Sequence, residues 1–403
     1  VIVRDDNDDG DDGAPRMSPI HRDNTCELVR QRSRAPCELG RNFGCDPARG
    51  TMWVTNCRGL FRCGGSGTTP CGFPPGLPAY NCSCSPRLAG QSCRPDATAL
   101  MTSWKGCPTV PWQMAAATDA AVLARYHNPV LVNVGANKGY AAAEFLAIWS
   151  QRRVNSKIWL NAIKKYAGIG TAHVRGFLGN QPCGVCGACK TPTPAKHERH
   201  GGSVHMLELL AANRDLLHNL TRETAIDDIA RVHNLAASNR SHRVYANPRA
   251  FAGTEYVSAS ASKRREPPNQ EAISLDEFFE REALKEAYLV SIDVEGWDAL
   301  VLEGMAGLLR RGQVAFLEFE VGKNKGYWRA DHPEQRRLDD TISSLAAAGY
   351  ACFMEAGNRL APISGPCWRD AFNSPPWANV LCARAVTPAL DVLLRVARAS
   401  EPM

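Results

Sequence analysis

Two carboxylates, Asp293 and Glu295, close the apolar run A-Y-L-V-S-I-D-V-E-G at 287–296. Residues two apart on an extended chain share a face, so both acids are expected to point off the carboxyl end of one strand. In open α/β sheets that end is where ligands bind. A carboxylate there can take a proton from a hydroxyl, and two of them close together raise the pKa of one, which suits it to be a base. Glu318 and Glu320 of F-L-E-F-E stand behind this pair. A further acid, Glu208, ends V-H-M-L-E just before a helical pattern. In a mononucleotide-binding unit an acid so placed binds ribose hydroxyls, about 20 residues after a glycine turn. Glu208 instead lies 69 residues after Gly139, which requires an intervening segment to loop out. The competing assignment is a solvated acid at a helix start.

The glycine turn lies in P-V-L-V-N-V-G-A-N-K-G-Y, at 129–140. Val130, Leu131, Val132 and Val134 read as a strand covered on both faces, and the alanine-rich stretch from Tyr140 to Trp149 reads as a helix. Gly135 permits a tight bend and close approach of a ligand, and Gly139 permits close packing of helix on strand. The helix N-terminus beyond offers N–H groups to an anion. The phosphate-cradling G-x-x-x-x-G-K-[ST] is absent, and Asn133 stands where the dinucleotide fingerprint needs its first glycine.

A third constellation is C-G-V-C-G-A-C at 183–189, followed by His197 and His200. Cys183, Cys186 and Cys189 with His197 offer a Cys₃His set for structural zinc. In an oxidising compartment the same cysteines form disulfides instead. A catalytic metal is not expected. The acidic start, residues 1–24, imitates a calcium loop, but Arg16 occupies the position that needs a glutamate. That segment is expected to be disordered.

These groups need a scaffold. From about 115 to 403 helical patterns alternate with apolar strands at 130–134, 203–208, 231–236, 288–293, 313–319, 350–355 and 378–384. This predicts an α/β domain with a doubly wound, Rossmann-like sheet of seven strands, ending in an antiparallel strand. Residues 150–200 do not fit the alternation and read as an insertion. Ser274 and Glu277 form a capping box before an amphipathic helix.

Residues 25–108 form a separate cysteine-rich module. Ten of the chain's 16 cysteines lie there, between Cys26 and Cys107. So dense a set marks a secreted module of short strands stapled by disulfides. Their even number permits five bridges within the module, with the pairing open. Trp53, Phe61 and Tyr80 offer either a carbohydrate-stacking face or a small core. Three N-glycosylation acceptor patterns, at Asn81, Asn219 and Asn239, agree with export. A secretory or extracellular location is therefore expected, with a cytoplasmic, metal-binding module as the alternative. The net charge of +6 is interspersed, without a basic stripe, so nucleic acid is not an expected partner. No run of 18 apolar residues occurs, and no membrane anchor is visible in a chain that begins at Val1 and reads as a fragment. The oligomeric state is open.

Taken in order, V-L-V-N-V-G-A-N-K-G-Y, V-H-M-L-E-L-L-A-A-N-R-D-L-L, I-S-L-D-E-F-F, Y-L-V-S-I-D-V-E-G-W-D-A-L-V-L-E-G-M and Q-V-A-F-L-E-F-E resemble the blocks of FkbM-type S-adenosylmethionine-dependent methyltransferases. The resemblance spans about 125–385. The cysteine-rich module separately resembles a repeat of secreted proteins. The methyltransferase resemblance implies S-adenosylmethionine as cofactor, held by Asn133, Gly135, Ala136, Asn137, Gly139, Glu208 and Asp293. The turn Ala237-Ser238-Asn239 would lie beside the adenine. It implies methyl transfer to a hydroxyl, that of a sugar or glycan, with Asp293 and Glu295 as the candidates for proton acceptor. The long insertion and Leu209, which stands where the family commonly has proline, depart from the pattern. The alternatives are a nucleotide-dependent oxidoreductase and a non-catalytic secreted carbohydrate-binding protein on the same fold.

Overall fold

In the computed structural model, the described residues are 26–46, 51–63, 69–72, 79–83, 93, 109–167, 201–246, 269–356, 359–373 and 375–399. The acidic start and Cys183, Cys186, Cys189, His197 and His200 lie outside them.

The amino-terminal module contains β1 (Cys26–Gln31), β2 (Phe43–Asp46), β3 (Thr51–Thr55), β4 (Gly59–Cys63), β5 (Thr69–Cys71) and β6 (Ala79–Ser83). They form two antiparallel three-stranded sheets, β1-β4-β5 and β2-β3-β6. Phe61 is fully buried and packs on Phe43 at 4.9 Å, so it fills the small core rather than a stacking face. Disulfides Cys26–Cys45, Cys37–Cys57 and Cys71–Cys82 staple these strands.

Cys93 corrects the expectation of five internal bridges. It pairs with Cys367, 274 residues away in the second domain. β3 and β6 also pack on a helix of that domain, so the module is docked rather than merely tethered. A further bridge, Cys352–Cys382, joins neighbouring strands of the large sheet. Non-reducing peptide mapping should recover a peptide joining Cys93 to Cys367. Cys367→Ser should cost about 2–5 kcal/mol of stability. A free Cys367 thiol in the native protein would contradict this pairing.

The second domain begins with α1 (Thr109–Ala117) and α2 (Ala120–Arg125). Then come β7 (Val130–Val134), α3 (Tyr140–Trp149), α4 (Ser156–Ala167), β8 (Ser203–Leu207), α5 (Ala211–Glu223) and β9 (Ala230–His233). A small three-stranded sheet follows, built from β10 (Ala236–Ala237), β11 (His242–Val244) and β12 (Gln270–Ile273). The chain continues through α6 (Leu275–Arg281), β13 (Ala287–Ile292), α7 (Asp298–Glu303), α8 (Ala306–Arg311) and β14 (Val314–Val321). It ends with α9 (Leu338–Ala347), β15 (Tyr350–Ala356), β16 (Arg359–Pro362), β17 (Ala378–Arg384) and α10 (Pro388–Ala399).

The large sheet has eight strands, in the order β16-β15-β17-β14-β13-β7-β8-β9. The eighth is β16, a four-residue edge strand antiparallel to β15. It is too short to show the alternation by which strands are recognised. β9, β8, β7, β13 and β14 run parallel, whereas β17 is antiparallel and enters between β14 and β15. Ser274 caps the helix as expected, accepting from the Glu277 N–H at 3.2 Å, but the box is only half made, because the Glu277 carboxylate meets Ser241 Oγ. Helices cover both faces. One core collects Trp112, Phe145, Trp149, Tyr288 and Phe316, and the other Phe278, Val290, Phe319 and Tyr350. β7 and β13 are neighbours, so the winding reverses between them. The carboxyl ends of these two strands form the switch point at which such sheets bind ligands.

Candidate functional site

The turn after β7 is built from left-handed backbone, with positive φ at Gly135 (77°), Asn137 (49°) and Gly139 (74°). Gly135 and Ala136 donate N–H groups to Leu207 O at 3.0 and 3.1 Å, which ties the turn to β8. Gly139 serves the packing expected of it. A Cβ there would lie 2.7 Å from Leu217 and 2.8 Å from Trp159, on α5 and α4. Trp159 also donates its indole N–H to Lys138 O at 2.6 Å. Thus α4, which falls inside the stretch read as an insertion, supports the glycine turn from behind. The close approach at Gly135 is made by protein: a Cβ there would lie 2.0 Å from Asp293 O. The two turns of the switch point therefore touch backbone to backbone.

Glu208 stands where strand–acid–helix grammar puts it and is only 5% exposed. Its carboxylate accepts from Asn137 N and Leu210 N, each at 2.7 Å, and so joins the glycine turn to the start of α5. Burial pushes its pKa up to about 7, against the pull of these N–H groups. Asn133, on β7 beneath the turn, is buried, and its Oδ1 meets no hydrogen-bond partner among the described residues. A buried orphan acceptor is costly and suits a bound donor such as an ammonium group. Ser238 is buried as well, with its N–H on Ile273 O at 2.9 Å.

β13 ends at Ile292, and Asp293, exposed, keeps its backbone N–H on Val134 O at 3.0 Å. The extended-chain argument stops at this point. Residues 293–296 form a turn, with Glu295 left-handed at φ 56°. Its carboxylate meets Lys325 Nζ at 2.8 Å, and the same ammonium reaches both oxygens of Glu320 at 2.8 and 2.9 Å. Asp293 and Glu295 thus sit in one turn with different surroundings. Beneath them Asp298 is fully buried and accepts from Gly296 N at 3.0 Å and Glu320 N at 3.2 Å. Burial first, and the Asp293 charge second, push its pKa up to about 8. Burial would lower the pKa of Lys325, but Glu320 and Glu295 outweigh it and hold the ammonium charged.

Glu318 is also buried, beside Glu355 of β15, and Asn379 Nδ2 reaches it at 3.4 Å. Burial and mutual repulsion raise Glu318 well above the carboxylate range, and burial pushes Glu355 up to about 8. Lys325, Asp298 and Glu355 were not apparent from sequence spacing. The only signals were a lysine two residues after Lys323 in G-K-N-K-G and a single acid within C-F-M-E-A.

Among the described residues, His205, His233 and Glu282 come near enough together to hold a metal ion. His205 Nδ1 and His233 Nε2 lie 3.1 Å apart as a direct hydrogen bond between nearly parallel rings, with Glu282 oxygens at 3.8 and 3.9 Å. The group is a hydrogen-bonded pair, and burial lowers the His205 pKa to about 4, which keeps it neutral.

Comparison with known proteins finds a family model that matches part of the chain. Residues 186–352 match the Methyltransferase FkbM domain, a span that holds Glu208, Ser238, Asp293 and Glu295 but not the glycine turn. Among solved structures, the chain is similar to the methyltransferase FkbM from Methylobacillus flagellatus KT. The identity is 11% and the TM-score 0.30, over 72% of this chain and 58% of that one. It is also similar to the METTL16 MTase domain, at 6% identity and a TM-score of 0.31, over 68% of this chain and 64% of that one. The human methyltransferase 10 domain containing protein matches at 8% identity and a TM-score of 0.27, over 69% of this chain and 84% of that one. The chain therefore spans less than two thirds of the first two. No curated protein sequence matches it significantly.

Proposed function

We propose, on the premise that residues 186–352 form an FkbM methyltransferase domain, that the chain is an S-adenosylmethionine-dependent O-methyltransferase. Its acceptor is a hydroxyl, of a sugar or glycan. The observation that carries this reading is the switch point itself, where the Gly135 turn, buried Glu208 and exposed Asp293 converge from neighbouring strands. Bound S-adenosylmethionine supplies a sulfonium methyl group as the electrophile. Asn133 Oδ1 would accept from its ammonium, Glu208 would accept from its ribose hydroxyls, and Ser238 would border its adenine. Asp293 takes the proton of the acceptor hydroxyl, and rigid alignment of that oxygen contributes much of the barrier reduction. Glu295, already paired with Lys325, shapes the turn beside Asp293.

The bridges Cys93–Cys367 and Cys352–Cys382 involve the methyltransferase domain itself. They support an oxidising compartment, secretory or extracellular, for the whole chain. Among the described residues no helix is long and apolar enough to cross a membrane.

Incubation of the full chain with methyl-labelled S-adenosylmethionine and a glycan panel tests the proposal, with label on a hydroxyl oxygen expected. Failure to bind the cofactor at all overturns it. Glu208→Ala should weaken cofactor binding at least tenfold, about 1.4 kcal/mol by calorimetry. With a pKa near 7, Glu208 is protonated below neutrality and then loses acceptor capacity towards the ribose hydroxyls. Cofactor affinity should therefore rise between pH 6 and pH 8 in the wild type and stay flat in Glu208→Gln. A flat wild-type profile removes Glu208 from the ribose site.

A further inference from the structure

The loop that follows β14 is fused to the turn that follows β13. A Cβ on Gly296 would lie 2.4 Å from Lys325 C, and one on Gly326 would lie 2.5 Å from Gly296 O. Both glycines have positive φ, 89° and 40°, and Tyr327 N donates to Gly296 O at 2.9 Å. Backbone therefore lies against backbone, with no room for a side chain on either strand of the contact. The position of Tyr327 relative to Asp293 is set by this clamp rather than by a swinging loop.

What the clamp presents is a row of aromatic rings. Trp297 meets Tyr327 edge to face at 5.2 Å, and Tyr327 meets His332 at 4.3 Å. All three are partly exposed. Beside them lies the ion group Glu295–Lys325–Glu320, whose first two side chains keep 30% and 20% of their exposure. Arg336 flanks Tyr327 at 5.9 Å and binds Glu303, which also accepts from Asn239 next to Ser238. The row thus runs from the proposed adenine turn to the turn that carries Asp293.

We propose that Trp297, Tyr327 and His332 form the acceptor subsite and stack the apolar face of a neutral sugar ring, while Glu295 and Lys325 bind its hydroxyls. This rests on the methyltransferase reading above and names the acceptor it takes. Aromatic rings supply broad apolar area at small entropic cost, and their partly wet position beside fixed donors and acceptors suits a ligand with one apolar and one polar side. The ammonium and carboxylates already neutralise one another in part, so the row favours a polyhydroxylated ring over an ion. The clamp holds the row close to Asp293, which lets one bound ring present a hydroxyl to that carboxylate.

The test uses the full chain with S-adenosylhomocysteine bound and methyl glycosides of the common neutral hexoses as probes, followed by methyl-transfer kinetics on any glycoside that binds. Tyr327→Ala and Trp297→Ala should each weaken glycoside binding and raise the acceptor KM at least tenfold. Cofactor affinity should stay within twofold, and Tyr327→Phe, which keeps the ring, should stay near wild type. Glycoside binding unchanged in both alanine variants overturns the subsite and leaves the methyltransferase reading intact. Cofactor affinity that falls with the rings also overturns it, since they would then serve the adenine. A wild type that binds cofactor but methylates only non-carbohydrate acceptors overturns the sugar assignment. A wild type that binds no cofactor overturns the methyltransferase reading instead.

Discussion

Asp293→Asn should lower turnover by about 10²-fold or more while cofactor affinity falls only modestly, the pattern for loss of a general base. Asp293 is the exposed acid at the carboxyl end of β13, and its backbone is fixed by Val134 O on one side and by contact with Gly135 on the other. Its charge acts on buried Asp298, Glu318 and Glu320, each of which it pushes towards the protonated form. With Asp298 and Glu318 buried and held towards their protonated forms, Asp293 is the exposed acid of this group that can take a proton from an acceptor hydroxyl. Asparagine preserves shape and removes the basic oxygen, so packing should survive. Steady-state turnover and calorimetric cofactor binding separate the outcomes. If binding collapses in step with turnover, Asp293 is a cofactor ligand. If turnover persists in both Asp293→Asn and Glu295→Gln, alignment with water as proton acceptor is the better mechanism.

Gly135→Ala should be the most destabilising single methyl in the domain's switch point. The new Cβ would meet Asp293 O at 2.0 Å, and the backbone sits at φ 77°, where alanine is strained. Strain at such a φ costs about 1–3 kcal/mol. Relief of the clash would require the turns after β7 and β13 to separate, for a total of about 3 kcal/mol or more. A melting temperature lower by roughly 6–12 °C is expected. Gly40 provides the control, because it has the same φ of 77° and an added methyl there would meet nothing within 4 Å. Gly40→Ala should therefore show the φ strain alone. Equal losses in the two variants would mean that the contact with Asp293 contributes nothing. Cofactor affinity should drop with Gly135→Ala even in the folded fraction, since both turns of the site must move.

The acids Glu208 and Asp293 and the glycines of the first turn were legible in the sequence because each ends or follows a short apolar run. Such a run is a local signal: it marks a buried strand, and the residue after it lies at the sheet edge. For the same reason seven of the eight strands of the large sheet could be found, whereas β16, four residues long, could not. Glu295 shows where local reasoning stops. Periodicity assumed extended chain two residues beyond Asp293, but a left-handed turn begins there, stabilised by contacts with Gly326 and Lys325 some 30 positions later.

The sequence by itself determined the class of the fold, the separate cysteine-rich module and the family-like acids, all of which follow from composition and short-range pattern. Only the tertiary structure decided which groups meet. It placed Cys93 against Cys367, Lys325 between Glu295 and Glu320, and the backbone of Asp293 on Gly135. Each of these contacts joins residues separated along the chain, where hydrophobic period and turn chemistry carry no distance information. The physical reason is that strand order, not strand identity, sets such neighbours. Strand order is fixed by the burial of both faces of the whole sheet at once.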